Sequence, residues 1–157
     1  MQTIEAMSHM GAHHFTAGLV VGDLNFDGYA DLGLYTDGGA KWSSHAYWLF
    51  DPAAGRFVEN DLSRDLGRLA ANQVAAQPST STIEASYLAG GGDCTLGVYD
   101  IFQIVHGRLV QVETHQREIG REPKGYCLVK VSRLRDGRMQ TVRVERRALD
   151  DLGSTAH

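Results

Sequence analysis

Short apolar-rich segments separated by glycine turns constrain this chain more than any other feature. The segments "HFTAGLVV", "ADLGLYT", "HAYWLFD", "GRFVEN", "STIEASYL", "TLGVYDIFQIV", "RLVQVETHQREI", "GYCLVKVSRLR" and "MQTVRVERRAL" are rich in Val, Ile, Tyr, Phe and Thr. Several alternate apolar with polar residues, so that one side of an extended chain enters a core and the other faces water. They read as roughly eight or nine strands. Compact connections separate them: "DPAAGR" from Asp51, "VHGR" from Val105 and "RDGR" from Arg135. Each contains a glycine, which reaches the positive φ of a tight hairpin without steric cost, and Asp136-Gly137 is the strongest two-residue hairpin signal. The expectation is an all-β antiparallel meander, propeller-like or sandwich-like, forming a single domain over residues 1–157. One stretch departs from it. In "NDLSRDLGRLAANQVAAQPST" an Asp/Ser start precedes Leu62, Leu66 and Leu69 at helical spacing, which predicts a short helix before Pro78. The opening "QTIEA" looks like a further strand.

A chain of 157 residues is long enough to bury a proper core without disulfides or metals as staples. Its 43% hydrophobic and 22% charged residues are ordinary for a globular domain, and no apolar run is long enough for a membrane-spanning helix. A net charge of −4, with arginines gathered toward the C-terminal strands, leaves no basic footprint for nucleic acid. No basic segment followed by an apolar one opens the chain, so no signal peptide is visible in it. That fits either a cytoplasmic protein or a mature exported one.

The densest polar chemistry lies in "VGDLNFDGYADLGLY", beginning at Val21. Asp23, Asn25, Asp27 and Asp31 fall at relative positions one, three, five and nine, with Gly28 at six and the Tyr29 carbonyl at seven. Calcium takes six to eight oxygen ligands, and such a loop supplies side-chain oxygens at odd positions plus one backbone carbonyl. Leu34 stands where an EF-hand has its bidentate glutamate, and the flanks read as strands, so the loop is not an EF-hand. The competing reading is an Asx-rich turn whose side chains bond only the local backbone. Against it, three carboxylates within about ten residues repel one another unless a cation screens them. The expected cofactor is Ca2+, held by Asp23, Asn25, Asp27, the Tyr29 carbonyl and Asp31 in a structural role; magnesium, which demands stricter octahedral geometry, fits less well.

Catalytic constellations are lacking. His45, His106 and His115 are scattered and read as exposed bystanders, "LAGGGD" lacks the Lys-Ser/Thr ending of a phosphate loop, and Asp61 with Asp65 reads as a solvated charge cluster at the start of the helix. No base–nucleophile pair appears, so no enzyme is expected. The loop "TDGGAKWSSHAYW" is more suggestive. Trp42, Ser43, Ser44, His45 and Tyr47 offer aromatic faces and hydroxyls of the kind that anchor binding surfaces, with Trp42 to His45 preceding the strand proper and Trp48 in the core. A second loop, "SYLAGGGD" with Tyr87, competes for that role. Cys94 and Cys127 lack zinc-ligand spacing; hairpin pairing brings them near one another, compatible with one disulfide or with two buried thiols.

Taken together, "VGDLNFDGYADL", "AYWLFDPAAGRF" and "YCLVKVSRLRDGRM" resemble a family of secreted bacterial calcium-binding immunity proteins. These protect against peptidoglycan-hydrolase effectors of bacterium-killing type IV secretion systems, and the family is similar in fold to periplasmic inhibitors of invertebrate-type lysozyme. The resemblance covers Phe15 to Arg147; the Asp-rich loop alone is shared with integrin-like propeller repeats. It implies an all-β periplasmic protein, preceded by N-terminal sequence that this chain does not contain. It also implies calcium on the five positions named above and a partner that is a lysozyme-like peptidoglycan hydrolase, with Trp42, Ser43, Ser44, His45, Tyr47 and Tyr87 as candidate contacts. The alternative is a calcium-dependent glycan-binding or adhesion module whose aromatics stack on sugar rings.

Overall fold

The computed structural model describes residues 1–5, 18–39, 42–87, 98–119 and 126–148. Ten strands and one helix follow in chain order: β1 (Leu19–Gly22), β2 (Asp31–Gly39), β3 (Trp42–Asp51), β4 (Arg56–Val58), α1 (Asp61–Gly67), β5 (Gln73–Gln77), β6 (Thr82–Tyr87), β7 (Val98–Val105), β8 (Arg108–Ile119), β9 (Tyr126–Arg135) and β10 (Arg138–Ala148). They form two antiparallel sheets, each a simple meander: a four-stranded sheet β1-β2-β3-β4 and a six-stranded sheet β10-β9-β8-β7-β6-β5. The expected all-β class is what the chain adopts.

The glycine turns behave as the sequence predicts. Gly55, Gly107 and Gly137 all take positive φ, and His106 and Asp136 precede the latter two at φ 50°, so two consecutive left-handed residues close each of these hairpins. The helix is also present, shorter than its leucine pattern suggests. Asn60 caps it, accepting from the Ser63 amide at 2.9 Å while the Asn60 amide donates back to Ser63 Oγ at 2.8 Å. What the sequence reading missed is β5, carved from "QVAAQ" inside the stretch assigned to helix. Val74 and Ala76 turn toward the core from it, a period-two pattern hidden among small residues. Residues 1–5 form no strand; instead the Gln2 side chain bonds both polar groups of Phe57, occupying the edge of β4.

The core lies between α1 and both sheets. Leu24, Tyr47, Leu49, Leu62, Leu66, Ala71, Ile83, Ala85 and Phe102 form one buried cluster, with Phe26, Leu69, Val74, Tyr87 and Ile104 packed around it. The helix therefore buries Leu62 and Leu66 against β3 on one side and reaches β8 on the other. Asp65 secures that second contact: its carboxylate accepts two bonds from the Arg108 guanidinium, at 2.6 and 2.9 Å, and one from the Leu109 amide at 3.2 Å. The expectation of a solvated Asp61/Asp65 cluster is thus corrected. Asp61 does face solvent and pairs with Arg64, but Asp65 is buried and ties helix to sheet.

Candidate functional site

The loop from Asp23 to Ala30 connects β1 to β2 at the end of the smaller sheet. Asp23 holds its turn closed, with one carboxylate oxygen accepting from the Asp27 amide at 3.1 Å and the other from the Gly28 amide at 2.9 Å. Asp27 accepts from the Tyr29 amide at 2.9 Å and from the Asn25 side-chain amide at 2.8 Å. Gly28 takes φ 89°, as the sharp turn requires, and Phe26 takes φ 63°. A non-glycine residue there is strained, and the strain is offset because the Phe26 ring packs on the core beside Leu24.

Asp31 is the anchor of this arrangement. It is fully buried, and its two oxygens accept from the Leu24 amide at 2.8 Å and the Phe50 amide at 2.9 Å. One carboxylate therefore joins the loop, the start of β2 and the end of β3. Burial pushes the Asp31 carboxyl above its ordinary range; its two backbone bonds pull the other way, and the charges of Asp27 and Asp23 push it further up.

Among the described residues, no three His, Cys, Asp or Glu side chains stand grouped to hold a metal ion. The five predicted ligand positions run from Asp23 in the loop to Asp31 at the start of β2 and all carry oxygen donors, without their acidic side chains being gathered round one point. The chemistry of that set fits a hard cation: each carboxylate offers about four lone-pair sites, and the amide bonds use only part of them. The mutual repulsion felt at Asp31 is the charge that such an ion would neutralise. Tyr29 is exposed and rests its ring on Phe50 at 5.4 Å, which in turn meets Phe57 edge-on, so the aromatic side of the loop is braced by β3 and β4.

The predicted partner contacts fall mostly on β3, and the structure corrects their expected exposure. Trp42 to His45 belong to the strand, paired with Gly39 to Tyr35 of β2. Ser43 is buried, its hydroxyl donating to the Ala71 carbonyl at 2.7 Å. Tyr47 is buried in the core over Gly33, where an added Cβ would come within 2.6 Å of its ring. Burial pushes its phenol far above the usual tyrosine range. Alternation alone could not show this, because β3 is covered on both faces and Trp48 on the opposite side is buried as well.

Ser44 and His45 are half-buried. The His45 ring lies between Tyr35 and Tyr47, its Nδ1 buried without a partner, and burial lowers its pKa. A notch lined by Ala46, Tyr47, Glu59, Ser63, Arg64 and Gly67 opens beside it, between β3 and α1. Tyr87 packs against the core rather than standing free, its phenol pushed up to about 12 by burial and by the charge and hydrogen bond of Asp100. The side chain of Trp42 and the rest of the "LAGGGD" loop lie outside the described residues. Cys127 is fully buried and disulfide-bonded; Cys94 lies outside the described residues.

His115 was missed as a structured residue. It stacks on Tyr99 at 4.1 Å and 18°, and bonds Glu113, which also accepts from Arg133 at 2.5 Å. Only its register, opposite Tyr99 on β7, brings these groups together. His106 does stand exposed in its turn.

Fold and loop together define an all-β, two-sheet protein with an Asp-rich oxygen-donor loop buttressed by its smaller sheet. The chain matches no family model and no curated protein. Among solved structures it is similar to one described as "Structure of a Xanthomonas Type IV Secretion System related protein", with a TM-score of 0.59 and 23% identity. The match covers 80% of this chain and 58% of the other, and the likeness is one of fold.

Proposed function

We propose that this protein is an immunity protein of a bacterium-killing type IV secretion system, which binds and blocks a lysozyme-like peptidoglycan hydrolase in the periplasm. The observation that carries the reading is the Asp-rich loop fastened to β3 through buried Asp31. The fold similarity to a Xanthomonas protein described as type IV secretion system related supports it. In this reading Asp23, Asn25, Asp27, the Tyr29 carbonyl and Asp31 hold Ca2+. The ion supplies no chemistry on a substrate; it neutralises three carboxylates and fixes the loop. The protein inhibits and does not catalyse.

The residues available to a partner are the half-buried Ser44 and His45 of β3, with the notch beside Tyr47 as a receptacle for a side chain. Tyr47 and Ser43 act from within, holding the strand against α1 and the Ala71 carbonyl. The test is capture of partners from lysates of kin and rival bacteria, in calcium and in EDTA, followed by a peptidoglycan-hydrolysis assay. Recovery of a hydrolase that the protein inhibits in calcium and releases in EDTA is the expected result. Direct binding to peptidoglycan fragments with no hydrolase inhibited would instead identify a glycan-binding module.

A further inference from the structure

Lysine and arginine are unevenly spread along this chain. The hairpin of β9 and β10, from Tyr126 to Ala148, carries seven of the fifteen, against two carboxylates, Asp136 and Glu145. Its net charge is therefore +5 in a chain whose total is −4, so the remaining residues carry −9. Such a separation of sign draws an acidic partner to one place and repels it from the rest.

The same hairpin ends the larger sheet. β10 is the terminal strand in the order β10-β9-β8-β7-β6-β5, and among the described residues no strand pairs with its outer side. The other edges offer less: β1 has four residues, β5 has five, and Gln2 occupies the edge of β4. β10 has eleven, and beyond the irregularity between Thr141 and Arg143 its register with β9 runs unbroken from Arg143 to Ala148. An edge of this length presents a row of backbone donors and acceptors to an extended segment.

Side chains decide which segment fits. The register puts Arg143, Glu145 and Arg147 on one face of that stretch and Val144 and Arg146 on the other. Glu145 accepts from Arg143 at 3.2 Å and from Arg147 at 3.0 Å, which leaves that face one positive charge in surplus. On the opposite face the Arg146 guanidinium lies 3.6 Å from the centre of the Tyr126 ring, which braces it without cancelling its charge, and Val144 is 55% exposed. Cations on both faces of one strand do not form the single plane that a bilayer or a nucleic-acid duplex lies against. They flank the edge where the side chains of an added strand would alternate between the same two faces. A second copy of this chain is disfavoured there, because pairing edge to edge would oppose arginine to arginine.

We propose that the outer edge of β10 from Arg143 to Ala148 is a docking site for an acidic, extended protein segment, which adds as a further strand to the larger sheet. Backbone hydrogen bonds hold the segment, and its carboxylates meet Arg146 on one face and the surplus arginine charge on the other. The inference is independent of the calcium loop and of the β3 surface.

The experiment measures fluorescence anisotropy of labelled synthetic peptides of about eight residues, the length of an ordinary strand, added to the full chain. One peptide alternates glutamate with valine and threonine, a second has lysine in place of glutamate, and a third is the acidic peptide with alternate backbone amides N-methylated. The acidic peptide alone is expected to bind saturably, more weakly as salt is raised, and Arg146→Glu is expected to weaken it by about five- to tenfold. The proposal is overturned if the acidic peptide does not bind, if the lysine or methylated peptide binds as well, or if the variant binds like wild type. Binding of phosphatidylglycerol vesicles without binding of the acidic peptide would assign the hairpin to a lipid surface and overturn it too. Should Arg146→Glu fail to fold, amide hydrogen exchange of the wild type serves in its place: the peptide is expected to slow exchange in β10, and protection that falls elsewhere refutes the site.

Discussion

Substituting Asp31 tests the claim that one buried carboxylate holds the loop to the sheet. Asp31→Ala removes both acceptors and strands the Leu24 and Phe50 amides, at a residue with no exposed surface. Each buried amide left unsatisfied costs about 1–3 kcal/mol, so the gross loss is about 2–6 kcal/mol. Part of that is offset, since the substitution also removes a desolvated charge that Asp23 and Asp27 repel. The net expectation is about 2–4 kcal/mol, a large share of the roughly 5–15 kcal/mol that stabilises a typical domain. Asp31→Asn keeps one acceptor and turns an amide group toward a second N–H, so it falls between wild type and Asp31→Ala. The assay is urea unfolding in EDTA, followed by fluorescence of Trp48, with slopes compared to confirm that the denatured state is unchanged. A loss below about 1 kcal/mol for Asp31→Ala would refute the reasoning, because it would mean that water reaches the two amides in the native state.

Calcium binding is tested by Asp27→Ala, which leaves the Asp31 anchor in place: wild type should gain about 2.7 kcal/mol at calcium a hundredfold above its dissociation constant, and the variant should lose most of that gain while remaining folded in EDTA. Calorimetric titration that shows no heat for wild type would count against the site. For Asp65, the Arg108 hydrogen bond holds the folded-state carboxyl below its ordinary value against the effect of burial, aided by the Leu109 amide and the Arg108 and Arg68 charges. A depressed carboxylate contributes stability above its unfolded pKa of about 3.9 and loses it as pH falls through the folded value. Wild type should therefore lose more stability than Asp65→Asn on acidification below about pH 4, and parallel melting curves from pH 6 to 3 would exclude this role. Gly33→Ala places a Cβ 2.6 Å from the Tyr47 ring and should cost about 1–3 kcal/mol by overpacking, measured by the same urea assay; an unchanged midpoint would show that the ring moves aside freely.

Local chemistry in the sequence reported local structure faithfully. The hairpins at Gly107 and Gly137 follow from backbone sterics over two residues, and the short helix follows from its polar start and leucine spacing, although the residue that caps it is Asn60 rather than the expected Asp or Ser. The Asp-rich loop was legible for the same reason, since its spacing and its glycine act within nine positions. Burial was not. Ser43 and Tyr47 look like an exposed polar-aromatic pair until α1 and the Ala71 segment cover that side of β3. Asp65 and His115 owe their environments to partners 43 residues away and on a neighbouring strand. The strand β5 was hidden because alanine and glutamine carry almost no β signal; its pairing with β6 supplies what its composition lacks.

The two buried aspartates explain why a surface on β3 is pre-shaped. Asp31 fixes Phe50 of β3 to the loop, and Asp65 fixes α1 to Arg108 and Leu109 of β8, while α1 itself packs Leu62 and Leu66 against β3. The strand bearing Ser44 and His45 is therefore held at its far end by the loop, along one side by the helix, and through the helix by the larger sheet. Ordering a side chain on binding costs about 0.5–1.5 kcal/mol, and a strand whose neighbours are already fixed avoids much of that cost. Calcium in the loop would neutralise the one link in this chain that is electrostatically strained, since Asp31 alone among these contacts is opposed by like charges. A metal that touches no partner would then govern partner affinity through the position of Phe50, five residues along the strand from His45.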